Sequence, residues 1–352
     1  MWNRVKGLLL VPAFAAAACA PGAYDDQGPA ADASGLHARG KAVHRIPVQG
    51  IEREFIVYVP LRARGHSPVV FMFHGTSGDG EKFYDISGWR EKADAEGLIA
   101  VFPSALTYCF HEDENGDGDF DDAGERSVTT KWAAGKLGDP ARMPLCTPGE
   151  LASLPPEKRA LADHPLMDDV AFVDAMLAVL ANRYSIDARR IYASGFSNGA
   201  SFTSLLALEK SDRFAAIAAA AGVLGVQPRP AARPVPVLFS VGELDDRFTV
   251  PLGVTALPLE ETLFVQLPAL EALIVTPMLT TLQLGDEYDV GERVIRGKKL
   301  IGFRWSQSLV GASNAYGAVF IEGLGHQYPN GTNHPLVMAN LLWRFFEGRS
   351  LP

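Results

Sequence analysis

Across five residues of this chain the hydrophobic period changes from that of a strand to that of a helix. Residues 190–194 form a short apolar, β-rich run, residues 198–208 carry helical apolar spacing, and Gly195-Phe196-Ser197-Asn198-Gly199 lies between them. The same alternation recurs along the sequence. Residues 53–59 alternate like a half-exposed strand, and residues 69–73 are a continuous apolar run ending in His74-Gly75. A helical stretch at 89–96 leads into a strand at 98–102, and 169–184 is helical. Two further buried strands are expected at 214–220 and 235–241, a last one at 318–322, and a closing amphipathic helix at 334–346. Strands alternating with helices imply a mostly parallel sheet covered on both faces. The chain has 352 residues, enough for two domains by length alone or for one large α/β fold. The pattern favours a single α/β domain over residues 43–352, interrupted at about 106–168 and 252–312. The second interruption contains an unusually apolar stretch, 257–282, readable as a lid or cleft wall, or equally as buried packing helices.

Composition excludes several classes. A hydrophobic share of 47% with 21% charged residues is that of a packed protein, not a disordered one. The formal net charge of −9 owes most to residues 112–125, which hold eight acidic residues and no basic one. The remainder is nearly neutral, so no nucleic-acid partner is implied. Three cysteines, Cys19, Cys109 and Cys146, are too few for a disulfide-built mini-fold or a zinc ribbon.

The first residues read as an export signal, placing the protein outside the cytoplasm. Arg4 and Lys6 precede a short apolar run at 8–18, and small residues surround Cys19. Alanines before a cysteine resemble the lipobox of bacterial lipoproteins, with Ala16 where that motif usually has leucine. Two outcomes stay open: lipidation of Cys19 as a membrane anchor, or simple cleavage and release. Residues 20–42, rich in Ala, Gly, Pro and Asp, read as a flexible tether.

Gly195-x-Ser197-x-Gly199 between a strand and a helix has a mechanical reading. A serine at the tip of so tight a turn has strained backbone angles, so the residues two away must be small. The turn lifts the hydroxyl above the sheet and over a helix N-terminus that favours developing negative charge. Such a serine needs a base, and the base an orienting acid. Two histidines follow it, His326 and His334. His326, in Gly323-Leu324-Gly325-His326 directly after a strand, is the candidate base, whereas His334 reads as a surface or capping group. The acid is expected after the strand at 235–241. Asp245 is chosen by loop position, Asp246 remains an alternative, and Glu243 ranks third. Backbone N–H groups of Asn198 and of Thr76, in the loop His74-Gly75-Thr76-Ser77-Gly78, are the expected oxyanion donors.

These segments resemble the poly(3-hydroxybutyrate) depolymerase and feruloyl-esterase-like group of secreted α/β-hydrolases. The resemblance rests on the apolar strand ending in His74-Gly75, on Ser87-Gly88-Trp89 with the strand closing at Phe102-Pro103, and on Asp168-Asp169-Val170. Arg183-Tyr184 with Asp187, Asp212-Arg213-Phe214 and Gly323-Leu324-Gly325-His326 add to it. It covers most of residues 50–245 and the end of the chain. It implies an α/β-hydrolase fold, with the triad falling on Ser197, Asp245 and His326. Three features depart from the group: Ala200-Ser201 after the elbow, Val241 where it has histidine, and Tyr328-Pro329 where it has Trp-Pro.

Asp113-x-Asn115-x-Asp117-Gly118-Asp119-x-Asp121 places oxygen donors at alternate positions with glycine sixth, the first half of an EF-hand-type calcium loop. Gly124 occupies the twelfth position, so the usual bidentate ligand is out of register, and Asp122 or Glu125 would have to substitute. A structural Ca2+ is expected, with no cofactor for catalysis. Cys109 and Cys146 bracket this loop. In an exported protein they are expected to pair, closing roughly 36 residues and adding roughly 3–4 kcal/mol by the chain-entropy model.

The expected function is hydrolysis of carboxylic esters through an acyl-enzyme, on hydroxyalkanoate-type, feruloyl-type or acetyl esters. A small or oligomeric ester is the expected partner, because no appended module for gripping an insoluble polymer is visible. The protein is expected to be a monomer. Two rivals stand beside this reading: a serine peptidase on the same fold, and a non-catalytic calcium-binding surface lipoprotein.

Overall fold

A computed structural model of the chain describes residues 39–113, 119–120 and 124–352. Twelve strands follow one another: β1 (Gly40–Val48), β2 (Ile51–Val59), β3 (Ser67–Phe73), β4 (Ile99–Pro103), β5 (Thr107–His111), β6 (Arg126–Thr130), β7 (Ile186–Phe196), β8 (Ala216–Ala220), β9 (Val237–Gly242), β10 (Tyr288–Ile295), β11 (Lys298–Trp305) and β12 (Tyr316–Ile321). Ten of them form one sheet in the order β1-β2-β4-β3-β7-β8-β9-β12-β11-β10, and β5 and β6 pair separately. The inner six, from β4 to β12, are mutually parallel, and the outer strands on both sides are antiparallel.

The parallel strands β3, β4, β8 and β9 are buried along their whole length, as sheets covered on both faces require. One face packs against the helices Asp169–Arg183 and Asn198–Glu209, through residues such as Phe172, Met176, Phe202 and Leu206. The other packs against Gly80–Ile86, Trp89–Glu96 and Met338–Phe346, through Phe83, Trp89, Leu342 and Phe346. From β3 the chain steps outward to β4, then returns to build β7, β8, β9 and β12 on the other side. The carboxyl ends of β3 and β7 therefore meet where the winding reverses, which is where open α/β sheets form their crevice. This is the α/β-hydrolase fold. Among the described residues no helix is long and apolar enough to cross a membrane.

Several expectations change. Residues 40–42, expected to belong to a flexible tether, are instead the start of β1. β1 is held by pairing with β2 through the two-residue turn Gln49-Gly50, whose φ angles of 51° and 85° are both left-handed, the geometry a twisted hairpin needs. Within residues 252–312, the apolar stretch 257–282 follows the reading of buried packing helices, and a hairpin that was not expected comes after it. The stretch folds into short helices, with Leu263, Leu270, Ile274 and Leu282 buried in the core. It then adds the hairpin β10–β11 to the sheet edge through a second left-handed pair, Arg296-Gly297 (φ 51° and 78°). Neither Gln-Gly nor Arg-Gly carries the Asn-Gly or Asp-Gly signature that marks such turns in sequence. The closing helix begins at Met338, after the turn that contains His334. His334 is buried and not a surface group: its Nε2 donates to Glu322 O at 3.0 Å while Nδ1 accepts from Leu336 N at 3.1 Å.

The interruption 106–168 is anchored twice. Cys109 and Cys146 are joined in a disulfide, and Cys146 N donates to Cys109 O at 2.9 Å. At its far end a fully buried ion pair joins Arg53 of β2 to Asp169, at 2.7 Å with both side chains fully inaccessible. Asp169 accepts from Ala133 N through its other oxygen, at 2.7 Å. Burial pushes the Asp169 carboxyl upward, and the Arg53 guanidinium and the Ala133 amide pull it back. Removing one partner leaves a buried charge unpaired, which costs about 3–5 kcal/mol. Arg53→Met is therefore expected to lose about that much in urea denaturation, and Arg53→Met with Asp169→Asn to recover part of the loss, because an asparagine oxygen still accepts from Ala133.

Candidate active site

The turn after β7 is as tight as its glycines imply. Ser197 has φ 52° and ψ −120°, a region that disfavours any residue with a Cβ. A Cβ on Gly195 would overlap the carbonyl of Gly199, and one on Gly199 would overlap the carbonyls of Phe73 and His74. The second clash shows why the helix Asn198–Glu209 lies so close to the end of β3. Ser197 N donates to Ala220 O at 2.8 Å, so the strained residue is pinned to the end of β8.

Three side chains from separate parts of the chain converge at this turn. His326 Nε2 lies 2.9 Å from Ser197 Oγ, and His326 Nδ1 lies 3.0 Å from both carboxylate oxygens of Asp245. Asp245 is buried, caps the short helix Asp246–Thr249, and accepts from Arg247 N at 3.1 Å. A carboxylate on Nδ1 leaves the proton on that nitrogen and the lone pair of Nε2 facing the serine hydroxyl. Asp246, the sequence alternative, is exposed, and Asp245 is the carboxylate that bonds the ring. Glu243 has a bracing position instead: its side chain accepts from Gly323 N at 2.7 Å. Leu244 N donates to Leu324 O at 2.9 Å, so the loop after β9 and the loop that carries His326 are tied together. The ring of Phe196 packs 5.1 Å from that of His326 and holds its tilt.

The third wall comes from the 106–168 interruption, whose part in the site sequence reasoning missed. Asn198 Oδ1 accepts from Trp132 N at 2.6 Å, and its Nδ2 donates to Trp132 O at 3.2 Å. Trp132 is fully buried, stacked on Phe202 and edge-on to Phe73, and its indole N–H donates to His74 O at 2.9 Å. Ser77 N donates to Thr130 O at 3.1 Å and Thr130 Oγ1 to Gly78 O at 2.6 Å. The chain from 130 to 133 thus holds both the loop 74–78 and the first residue of the nucleophile helix. A lone tryptophan in an insertion carries no motif; the only signal was an isolated aromatic after an acidic loop.

These elements enclose a cleft of ≈ 740 Å³ with Ser197 and His326 in its wall, within the range of small-molecule sites. Thr76 and Asn198, the expected oxyanion donors, both border it. Leu252 and Leu273 bring the 252–312 segment into the wall. Of the three departures from the resembled group, Ser201 lines the cleft, whereas Val241 and Tyr328 are buried away from it. Tyr328 packs behind Phe196, with ring centroids 5.9 Å apart. Of the expected calcium ligands, Asn115, Asp117 and Asp121 lie outside the described residues, while Asp113 and Asp119 lie within them; Cys19 and the export signal also lie outside.

Residues 158–229, which include the helix Asp169–Arg183, β7 and the serine turn, match the model of the prolyl oligopeptidase family. The chain is 25% identical over 198 residues to the bifunctional acetylxylan esterase/xylanase XynS20E of Neocallimastix patriciarum, which spans 56% of this chain and 22% of that protein. The match thus covers about a fifth of the relative's length. Solved structures with similar folds include an acetyl xylan esterase from Aspergillus awamori, at 13% identity and TM-score 0.47 over 87% of this chain and 99% of that one. An S-formylglutathione hydrolase from Agrobacterium tumefaciens aligns at 14% identity and TM-score 0.48 over 86% and 93%.

His74 adds a dependence on pH. It is fully buried, its Nδ1 donates to Gly75 O at 2.7 Å, and its Nε2 accepts from Ala105 N at 2.9 Å. One donor and one acceptor are satisfied by the neutral ring, and burial holds the pKa down to about 4, from 6.5. Between those values the unfolded chain binds the proton and the folded one does not, so this contribution to stability is fully present above 6.5 and lost as pH falls toward 4. The loss is of order 3 kcal/mol at most. Urea midpoints recorded from pH 7 to 4 are expected to fall more steeply for the wild type than for His74→Asn, which has no ring to protonate.

Proposed function

We propose that this protein is a serine hydrolase of carboxylic esters. The observation that carries the reading is the unbroken chain of contacts from Asp245 through His326 to Ser197, with the serine held at a strained turn inside a cleft of ligand size. Ser197 Oγ attacks the ester carbonyl as His326 Nε2 takes its proton, and Asp245 holds the ring tautomer and offsets the imidazolium charge. The N–H groups of Asn198 and Thr76 stabilise the oxyanion, Asn198 from the first turn of a helix whose amides lack intrahelical acceptors. The tetrahedral intermediate collapses as His326 returns its proton to the departing alcohol. A water then repeats the sequence on the acyl-enzyme and releases the acid.

The substrate reading is an ester of moderate size, of the hydroxyalkanoate, feruloyl or acetyl type. The acetyl type gains support from the acetylxylan esterase relative, and the first two rest on the family resemblance of the segments around residues 74–75, 168–187 and 323–326. Peptide cleavage is the rival, since a triad does not itself choose between ester and amide. The prolyl oligopeptidase match covers the elbow and the helix before it, which ester hydrolases on this fold share. Export accompanies the proposal, because a bridge such as Cys109–Cys146 persists in oxidising compartments.

Two measurements test it. A fluorophosphonate probe is expected to label the wild type and not Ser197→Ala; an unlabelled wild type would overturn the proposal. On 4-nitrophenyl acetate or butyrate, Ser197→Ala and His326→Ala are each expected to lower kcat by at least about 10⁴-fold. Peptide anilides are expected to stay intact, and their cleavage at comparable kcat/KM would transfer the reading to a peptidase.

A further inference from the structure

The described wall of the cleft beside Ser197 carries more positive than negative side chains. Among the described residues, the charged side chains in this wall are Lys131, Lys136 and Arg247 with one carboxylate, Glu112. Lys131 is 5% exposed, bonds Glu112 at 3.0 Å and lies 4.5 Å over the ring of Phe110. That pair is internally neutral. Lys136 and Arg247 are exposed, and among the described residues neither has an acidic side chain at ion-pair distance. Burial holds the Lys131 ammonium below its usual range, Glu112 opposes this, and the positive charges of Lys136 and Arg247 add to it. With the Lys131–Glu112 pair neutral, Lys136 and Arg247 supply the net positive field of this space among the described residues. Walls of low dielectric concentrate such a field on whatever enters.

Arg247 also has a defined side of the cleft. It follows Asp245 by two residues and its backbone amide is bound to the Asp245 carboxylate, so it stands on the side of His326. During ester cleavage that imidazole gives its proton to the departing alcohol, so the alcohol portion of the substrate lies on the same side. We infer that the ester taken by this cleft carries an ionised carboxylate on its alcohol portion, seated by Arg247 with Lys136. This rests on the hydrolase reading above and narrows it. Of the three ester types considered, a hydroxyalkanoate oligomer fits, because the alcohol released from its terminal ester bond carries the free carboxylate of the chain end. Simple acetyl and feruloyl esters of neutral sugars have no such group. A guanidinium meets a carboxylate through two parallel hydrogen bonds, so Arg247 supplies direction and Lys136 supplies field.

The test uses two acetyl esters of matched shape, 4-acetoxybenzoate and 4-acetoxybenzamide, with the purified full chain. The ratio of their kcat/KM values is expected to favour the carboxylate by about tenfold at 20 mM NaCl and to approach one at 500 mM, where the Debye length is only about 4 Å. Arg247→Gln is expected to bring the ratio close to one at low salt, and Lys136→Gln to lower it less. A wild-type ratio at or below one, or a ratio unchanged by both salt and Arg247→Gln, overturns the inference. The salt series needs no variant and keeps the test decisive if Arg247→Gln does not fold. Calorimetric binding of 4-hydroxybenzoate against 4-hydroxybenzamide to Ser197→Ala reads the same preference without turnover. Labelling of the wild type by the fluorophosphonate probe with no anion preference in either assay removes this inference alone. Anion preference in binding without labelling removes the hydrolase reading and leaves the anion site.

Discussion

The backbone strain at Ser197 is the constraint from which the rest of the cleft follows. A non-glycine residue at φ 52° and ψ −120° costs of order 1–3 kcal/mol and persists only where its surroundings over-determine it. Those surroundings are identifiable. The amide of Ser197 is bound to Ala220, its carbonyl accepts from Ala200 and Ser201, and the flanking glycines let the helix press against the end of β3. The strain aims one hydroxyl at one imidazole. It works only because β3 and β7 are neighbours at the point where the sheet reverses its winding.

Around that turn, polar contacts between residues distant in sequence hold the walls in place. The buried Arg53–Asp169 pair reaches Ala133, Asn198 clasps Trp132 by both ends of its amide, and His74 is wedged between Gly75 and Ala105 while its carbonyl receives the Trp132 indole. Each of these is buried or partly buried, so a missing partner costs more than a present one contributes. The segment 130–133 is the common terminus of all three. A segment outside the regular strand–helix alternation is thus the brace on which the cleft depends. The Cys109–Cys146 bridge closes the same segment further out.

Much of the fold was readable from periodicity. The helix at 89–96 has the expected bounds, and the strands near 69–73, 98–102, 214–220 and 235–241 fall within a few residues of theirs. Long buried runs and amphipathic helices announce themselves because burial selects residue type directly. β1 and the hairpin β10–β11 were missed for a different reason. β10 is exposed along nearly its whole length, so no apolar alternation was imposed on it, and its turn uses Arg-Gly. At the site, loop position favoured Asp245 with Asp246 still open, and chain order left His326 and His334, of which the loop directly after a strand favoured His326. Trp132 left no trace in the pattern, since its partners Asn198, Phe202 and His74 are distant in sequence.

By itself the sequence determined the alternating strand–helix order, the glycine-flanked serine and the short list of groups able to activate it, because each depends on neighbours a few residues apart. Only the tertiary structure decided which carboxylate meets the imidazole, which insertion braces the nucleophile helix, and how three cations come to share one wall with a serine. Those outcomes depend on loops brought together from residues 74–78, 130–136, 197–201, 245–247 and 326. Contacts between such distant segments arise from the order and twist of the strands that carry them, a property of the assembled sheet that no local window of residues contains.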